Sequence, residues 1–236
     1  MQKMKRIGII LAEPQEFEVV KENMEKVTEK VIQHISFWLG NLENKPCIIV
    51  KAGIGKVNSA RVTQLMIDHF DLEYILNLGA AGALDPKLEI GDIVIGEELV
   101  QHDFDITAFG HSKGYITGVG DRVKSDETLI QGIKQALDHI EERDYRIILG
   151  TIATGDIFCT EITMKDKIYA KFDANCVDME AAAIGQVCYL AQIPFLAIRS
   201  ISDTPNGNNA MTYEQFVKLA SKRCVKILRE FFRESK

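Results

Sequence analysis

Two apolar runs in this chain end on acidic side chains: Val177-Asp178-Met179-Glu180, and Phe195-Leu196-Ala197-Ile198-Arg199-Ser200-Ile201-Ser202-Asp203. Carboxyl groups at strand ends, where loops open to a pocket, suit general acid–base work and the stabilisation of positive charge. Both have plainer uses. Glu180 stands where a helix begins, a position that favours an anion by itself, and Asp203 can form an Asx-turn before Thr204-Pro205-Asn206-Gly207. Pattern alone leaves both readings open. Gly79-Ala80-Ala81-Gly82 follows a strand and lets backbone amides approach a ligand, or serves as a tight exit beneath a helix. It is not a G-x-G-x-x-G, and Gly53-Ile54-Gly55-Lys56 lacks the spacing and hydroxyl of a P-loop, so neither a dinucleotide nor a nucleoside triphosphate is expected. His102-Asp103 with Asp105 reads as a hydrogen-bonded structural cluster, not a metal site. Phe109 lies in a glycine-rich loop with little local core to join.

The elements that hold these residues alternate between strand and helix. Arg6–Ala12, Tyr74–Leu78, Asp92–Gly96, Arg146–Thr154, Cys176–Asp178 and Phe195–Ile201 are short apolar runs, the mark of strands buried on both faces. Val31–Leu39 and Lys45–Lys51 also read as strands, with Gly40-Asn41 turning between them. Helices are expected over Glu16–Lys26, Val57–Phe70, Asp126–Ile140 (capped by Ser125), Thr163–Lys171, Glu180–Ala191 and Thr212–Phe232. No linker or internal repeat interrupts the pattern, so residues 1–236 form one α/β domain around a central sheet. Ligands of such sheets collect at the carboxyl ends of strands, where Gly79–Gly82, Asp178–Glu180 and Ser202-Asp203 all fall.

Bulk properties narrow the partners. The 236 residues carry a net charge of −6 without long blocks of like charge, which argues against nucleic acid or an anionic membrane. Five scattered cysteines, none spaced C-x-x-C, imply neither a disulfide framework nor zinc and fit buried thiols in a reducing compartment. The apolar run after the basic N-terminus is too short for a signal peptide, and no stretch reaches membrane-spanning length. A cytoplasmic location is expected.

Taken together, Gly53–Val57, Gly79–Gly82, Gly91–Val94, His102-Asp103 with Asp105 and Thr107–Phe109, Thr154–Asp156 with Phe158, Val177–Ala181 and Arg199–Asp203 resemble the bacterial 5′-methylthioadenosine/S-adenosylhomocysteine nucleosidases of the nucleoside phosphorylase superfamily. The resemblance runs over nearly the whole chain. It implies a mixed, twisted sheet flanked by helices and a homodimer. It implies hydrolysis of the N-glycosidic bond of 5′-methylthioadenosine and S-adenosylhomocysteine, with 5′-deoxyadenosine a further substrate, and no metal or organic cofactor. Asp203 is then the general acid at N7 of the purine. Glu180 binds the ribose hydroxyls with Met179 against the sugar, and Glu16 activates the attacking water. Phe158 stacks on the base, whose edge is read at Cys159, with Ala81, Gly82 and Ser202 also in the binding site. Ile54 and Tyr213, with Ile106 and Phe109 of a neighbouring subunit, wall the 5′ pocket. The chain departs from the family's usual Gly-Ala-Met-Glu at Leu11-Ala12-Glu13-Pro14, and Ala80 replaces a usual serine. A phosphorylase of the same superfamily needs an arginine in the first loop to meet phosphate. The segment Ala12-Glu13-Pro14-Gln15-Glu16 offers carboxylates instead, which favours water. The same residues also fit an aminodeoxyfutalosine hydrolase, differing only in its 5′ walls, and a non-catalytic nucleoside-binding protein.

Overall fold

The computed structural model describes residues 5–140, 144–204 and 213–234, without the side chains at 213–215 and 218. The strands are β1 (Arg6–Leu11), β2 (Glu25–Ile32), β3 (Ile35–Leu42), β4 (Lys45–Lys51), β5 (Leu72–Ala83), β6 (Ile93–Gln101), β7 (Val123–Lys124), β8 (Ile147–Thr154), β9 (Cys176–Asp178) and β10 (Phe195–Asp203). The helices are α1 (Pro14–Glu22), α2 (Lys56–His69), α3 (Glu127–Asp138), α4 (Ile162–Phe172), α5 (Ala181–Ala191) and α6 (Tyr213–Glu234). Together they make the expected α/β fold, a mixed sheet flanked by helices.

The sheet has two parts joined by β5. Its first half pairs in parallel with β1, which pairs with β4, and β3 and β2 continue that wing antiparallel. Beyond β1, the far end of β5 pairs with β9, while β10 runs beside β5 from Ile75 to Gly82. β10 then pairs with β6, β6 with β8, and β8 with β9, which closes a ring of strands. Closure removes sheet edges from this end and gathers several strand ends at one mouth. Apolar side chains on one face pack under α1, α3 and α6, and those on the other under α2 and α5. The outer strand β2 is largely exposed and charge-rich, which blunts an open edge.

Several boundaries differ from the sequence expectation. The wing contains two hairpins where one turn is expected. Val31–Leu39 bends at Gln33-His34, and the second turn is at Glu43-Asn44, not Gly40-Asn41. All four turn residues adopt positive φ without glycine, so no glycine marks the turns. Glu25 and Lys26 belong to β2, not to the first helix, which starts at Pro14. Gly79–Gly82 lies inside β5 instead of ending it, paired with Arg199–Asp203. Ser125 donates to the Gly96 carbonyl, and α3 is capped by Asp126, whose side chain accepts from Leu129 N at 3.0 Å. The turn expected at 205–207 lies outside the described residues.

Replacing Asp126 with alanine removes that cap and should cost about 1 kcal/mol. Scanning calorimetry should then show a melting temperature lower by roughly 2–4 °C, for a chain of this length.

Candidate active site

β10 is buried along almost its whole length, yet Arg199 sits in its middle, 1 % exposed. A cation there is tolerable only with a close anion and hydrogen-bond acceptors. Asp178, at the end of β9, supplies the anion: its Oδ2 accepts from Arg199 Nε at 2.9 Å and Nη2 at 2.6 Å. The guanidinium also donates to Asn77, whose side-chain nitrogen donates to the Ile10 carbonyl at 2.9 Å. Asp178 further accepts from Thr154 and from the amide of Ala181 at the start of α5. These contacts tie β1, β5, β8, β9, β10 and α5 into one floor.

Glu16 rests on this floor. It belongs to the first turn of α1, where Glu13 is the N-cap, the two residues form a capping box, and Pro14 occupies a first-turn position that needs no amide proton. The Glu16 carboxylate is 3 % exposed and accepts three backbone amides: Ala12 and Glu13 on Oε2, each at 3.0 Å, and Ala80 on Oε1 at 2.9 Å. A side chain at Gly79 would come within 2.9 Å of Oε1, so the glycine makes room for the acid. Burial raises the Glu16 pKa above the usual carboxylate range, against the opposing pull of those amides.

Glu180 is the first residue before α5 and is also buried. Its Oε1 accepts from the amide of Gly55 at 3.0 Å. Burial, and then the charge of Asp178, push its pKa up to about 8. The Gly53–Lys56 loop that presents this amide is itself anchored. Lys56 donates to Asp103 at 2.7 Å and to Gln101 at 3.1 Å, and its amide meets Asp156 Oδ1 at 2.8 Å. Asp103 in turn accepts the Asp156 amide at 2.9 Å. Burial raises the Asp103 pKa, but its bonds from Lys56 and the Asp156 amide outweigh this and hold it below the usual range. Asp105 accepts from Thr107. Asp103 therefore braces two loops, while Asp105 bonds within its own turn and the buried His102 Nε2 meets no hydrogen-bond partner, so the three do not form the single bonded cluster expected from sequence. No metal-binding group of three ligands occurs among the described residues.

Asp203 ends β10 opposite Gly82, where a side chain would approach Oδ1 to 3.1 Å. Ser202 donates to Oδ1 at 2.9 Å, and the ammonium of Lys165 on α4 binds Oδ2. A cavity of about 240 Å³ opens between these groups, the scale of a site for part of a small ligand. Glu16, Glu180, Asp203, Met179, Ala81, Gly82, Ser202, Phe158, Cys159 and Ile54 all line it, so ten of the thirteen residues expected from sequence surround one space. Ile106 and Phe109 do not line it. Both lie in or beside a single helical turn at Thr107–Phe109, with Phe109 81 % exposed. Tyr213 begins α6, and its side chain lies outside the described residues. The sequence reading passes over Lys165, the Lys56–Asp103–Asp156 brace and the role of Asn77. For Lys165 a signal exists: with Ile168 and Phe172 it falls on the buried stripe of α4, where a charge needs a partner. At the altered first loop, Glu13 both lines the cavity and caps α1, while Ala80 contributes through its amide.

With this geometry in place, comparison with known proteins gives a consistent picture. A family model described as the phosphorylase superfamily matches residues 6–233. The 5′-methylthioadenosine/S-adenosylhomocysteine nucleosidase of Anoxybacillus flavithermus is 39% identical over 216 residues, covering 91% of this chain and 92% of the relative. The crystal structure of the corresponding nucleosidase from Neisseria meningitidis, in complex with methylthio-immucillin-A, superposes with a TM-score of 0.89 at 34% identity, covering 96% of this chain and 98% of that one. A futalosine hydrolase structure from Helicobacter pylori gives a TM-score of 0.91 at 29% identity, covering 99% and 100%. The chain belongs to the phosphorylase superfamily and, within it, to the family of 5′-methylthioadenosine/S-adenosylhomocysteine nucleosidases.

The raised Glu180 pKa has a consequence for stability. Between the ordinary value of 4.5 and about 8, the folded protein holds a proton that the unfolded chain releases. Stability from this group therefore falls as pH rises through that window. Glu180→Gln should melt higher than the parent at pH of about 8.5, with the gap closing towards pH of about 4.5. Thermal denaturation across that range measures it.

Proposed function

We propose that this protein is an N-glycosyl hydrolase that cleaves 5′-methylthioadenosine and S-adenosylhomocysteine into adenine and the 5′-substituted ribose. The observation that carries the reading is the convergence of Glu16, Glu180 and Asp203 on one cavity whose described lining contains no lysine or arginine. Such a lining suits water and repels phosphate, whose dianion calls for a guanidinium or ammonium partner. Hydrolysis is therefore favoured over phosphorolysis. Family relatives named for these two substrates, at 39% and 38% identity, supply the substrate class.

Each carboxyl group has a task that its surroundings fit. Adenine leaves poorly unless protonated, and Asp203 delivers a proton to N7. Departure leaves an oxocarbenium-like ribose, and Glu180, whose raised pKa keeps a proton on it near neutral pH, holds the hydroxyls by hydrogen bonds that fix the sugar in place. Glu16, with three of its acceptor positions filled by amides, has one direction left in which to hold the attacking water. Ala80 and Gly82 lie two residues apart on β5, about 7 Å. That spacing sets Glu16 and Asp203 at neighbouring stations along the ligand. Met179 packs against the sugar, Phe158 stacks on the base, and Cys159 lies at its edge with Ala81 and Ser202. No metal or organic cofactor enters this scheme.

Ile54 and Phe158 leave apolar surface at the cavity, and Phe109 is exposed on its own helical turn. A homodimer in which Ile106 and Phe109 of the neighbour close the 5′ end, together with Tyr213, accounts for that exposure. One nucleoside phosphorylase-like domain spanning 1–236, acting in the cytoplasm on small adenine nucleosides, completes the reading. Among the described residues no helix is long and apolar enough to cross a membrane.

Adenine release should be followed from 5′-methylthioadenosine, S-adenosylhomocysteine, adenosine, inosine and aminodeoxyfutalosine, each with and without phosphate. Phosphate-independent cleavage of the two thioethers is expected, and a strict need for phosphate rejects hydrolysis. Glu16→Gln should lose activity by several kcal/mol in barrier, roughly a thousandfold, while still binding the nucleoside. Full activity in that variant would pass the water to another group, with Glu13, three residues away in the same lining, the candidate.

A further inference from the structure

Lys165 is buried to 3 % exposure on α4, which otherwise packs into an apolar cluster that includes Cys159, Ile168, Phe172 and Val177. Its ammonium forms an ion pair with one described carboxylate, Asp203, and its other recorded acceptor is the Thr204 carbonyl at 3.4 Å. Asp203 is thus met on both oxygens by donors, the Ser202 hydroxyl on Oδ1 and the Lys165 ammonium on Oδ2. As the partner of an ammonium, Asp203 is the anionic member of the pair. The reaction assigned to Asp203 requires it to give up a proton. In this arrangement the nearest transferable proton is on Lys165 Nζ.

We propose that Lys165 is the proton reserve behind Asp203, a positioning and proton-supplying residue for the hydrolysis of adenine nucleosides. The proposal rests on the reading of Asp203 as the acid. In the step, an Nζ–H bond of Lys165 breaks and an Oδ2–H bond of Asp203 forms, leaving a neutral amine beside a neutral carboxylic acid. That acid then gives its proton to the N7 lone pair as the C1′–N9 electron pair moves onto the base. The water that captures C1′ releases one proton by way of Glu16, and the Lys165 amine takes one back from solvent, so the inventory closes. Ser202 supports both states. Its Oγ lies 2.9 Å from Asp203 Oδ1 and 3.1 Å from the Ala81 carbonyl, so its single hydrogen can turn from one to the other. Burial of Lys165 against a half-buried Asp203 explains the choice of lysine: proton transfer within the pair cancels both charges at once and leaves no isolated ammonium in the apolar cluster. Arginine in the same place would hold Asp203 equally well and never surrender its proton.

The test compares Lys165→Arg and Lys165→Gln with the parent enzyme, using 5′-methylthioadenosine, with Asp203→Asn as the control. Expected is a kcat lower by at least about tenfold in both lysine variants, KM within about threefold of the parent, and adenine affinity retained. If Lys165→Arg keeps kcat within about twofold while Asp203→Asn is inactive, the lysine is only a counter-charge and the proposal falls. A loss that appears equally in KM and in adenine binding marks a structural role and overturns it too. Should the arginine variant fail to fold, Lys165→Gln is judged by the same two readouts. Activity retained in Asp203→Asn instead removes the acid assignment itself, a separate failure from that of Lys165.

Discussion

The pairing of Arg199 with Asp178 is the contact on which the site is built. A guanidinium in the middle of a buried strand is destabilising alone, and Asp178 and Asn77 together offset its desolvation. Satisfying it fixes the end of β9 against β5 and β10 and directs the start of α5, because the same carboxylate accepts the Ala181 amide. Glu180 is the residue before that amide. Its position is therefore a by-product of burying a cation on a neighbouring strand, and its raised pKa follows in part from the Asp178 charge below it.

The ring of strands gives the site its second constraint. β5 has to serve β1, β9 and β10, which leaves space at its far end only for Gly79, Ala80, Ala81 and Gly82. A side chain at Gly79 would crowd Glu16, and one at Gly82 would crowd Asp203. Smallness here is thus a matter of admitting carboxyl groups from neighbouring elements, not of giving a ligand access to the backbone alone. The loops around the mouth are held separately, by Lys56, Asp103 and Asp156, which tie the loop behind Glu180 to the one that carries Phe158.

Much of this was legible in the residues. The apolar runs at Arg6–Ala12, Cys176–Asp178 and Phe195–Ile201 mark strands because burial on both faces leaves no room for alternation, and the helical spacing of Val57–Phe70 is equally plain. The wing of β2 to β4 was obscured, since its turns use Gln33, His34, Glu43 and Asn44 in left-handed conformations that composition does not advertise. Gly79–Gly82 looks like a strand exit because small residues weaken strand propensity, whereas ring closure supplies the pairing. Among functional residues, Glu180 and Asp203 stood out as strand-end acids, and the rest of the set followed from family resemblance. For Lys165 the apolar stripe of α4 signals a buried charge in need of a partner, but the stripe does not say which carboxylate supplies it.

Glu16 is gripped by main-chain amides alone, from Ala12, Glu13 and Ala80. A grip of that kind is blind to side-chain identity. The path of the chain has to be inherited, but the letters along it are free to drift. The unusual Leu11–Pro14 segment and the alanine at position 80 leave these three amide contacts in place. A change of side chain at Ala12 or Ala80 can therefore keep the hold on Glu16 as long as the backbone keeps its path.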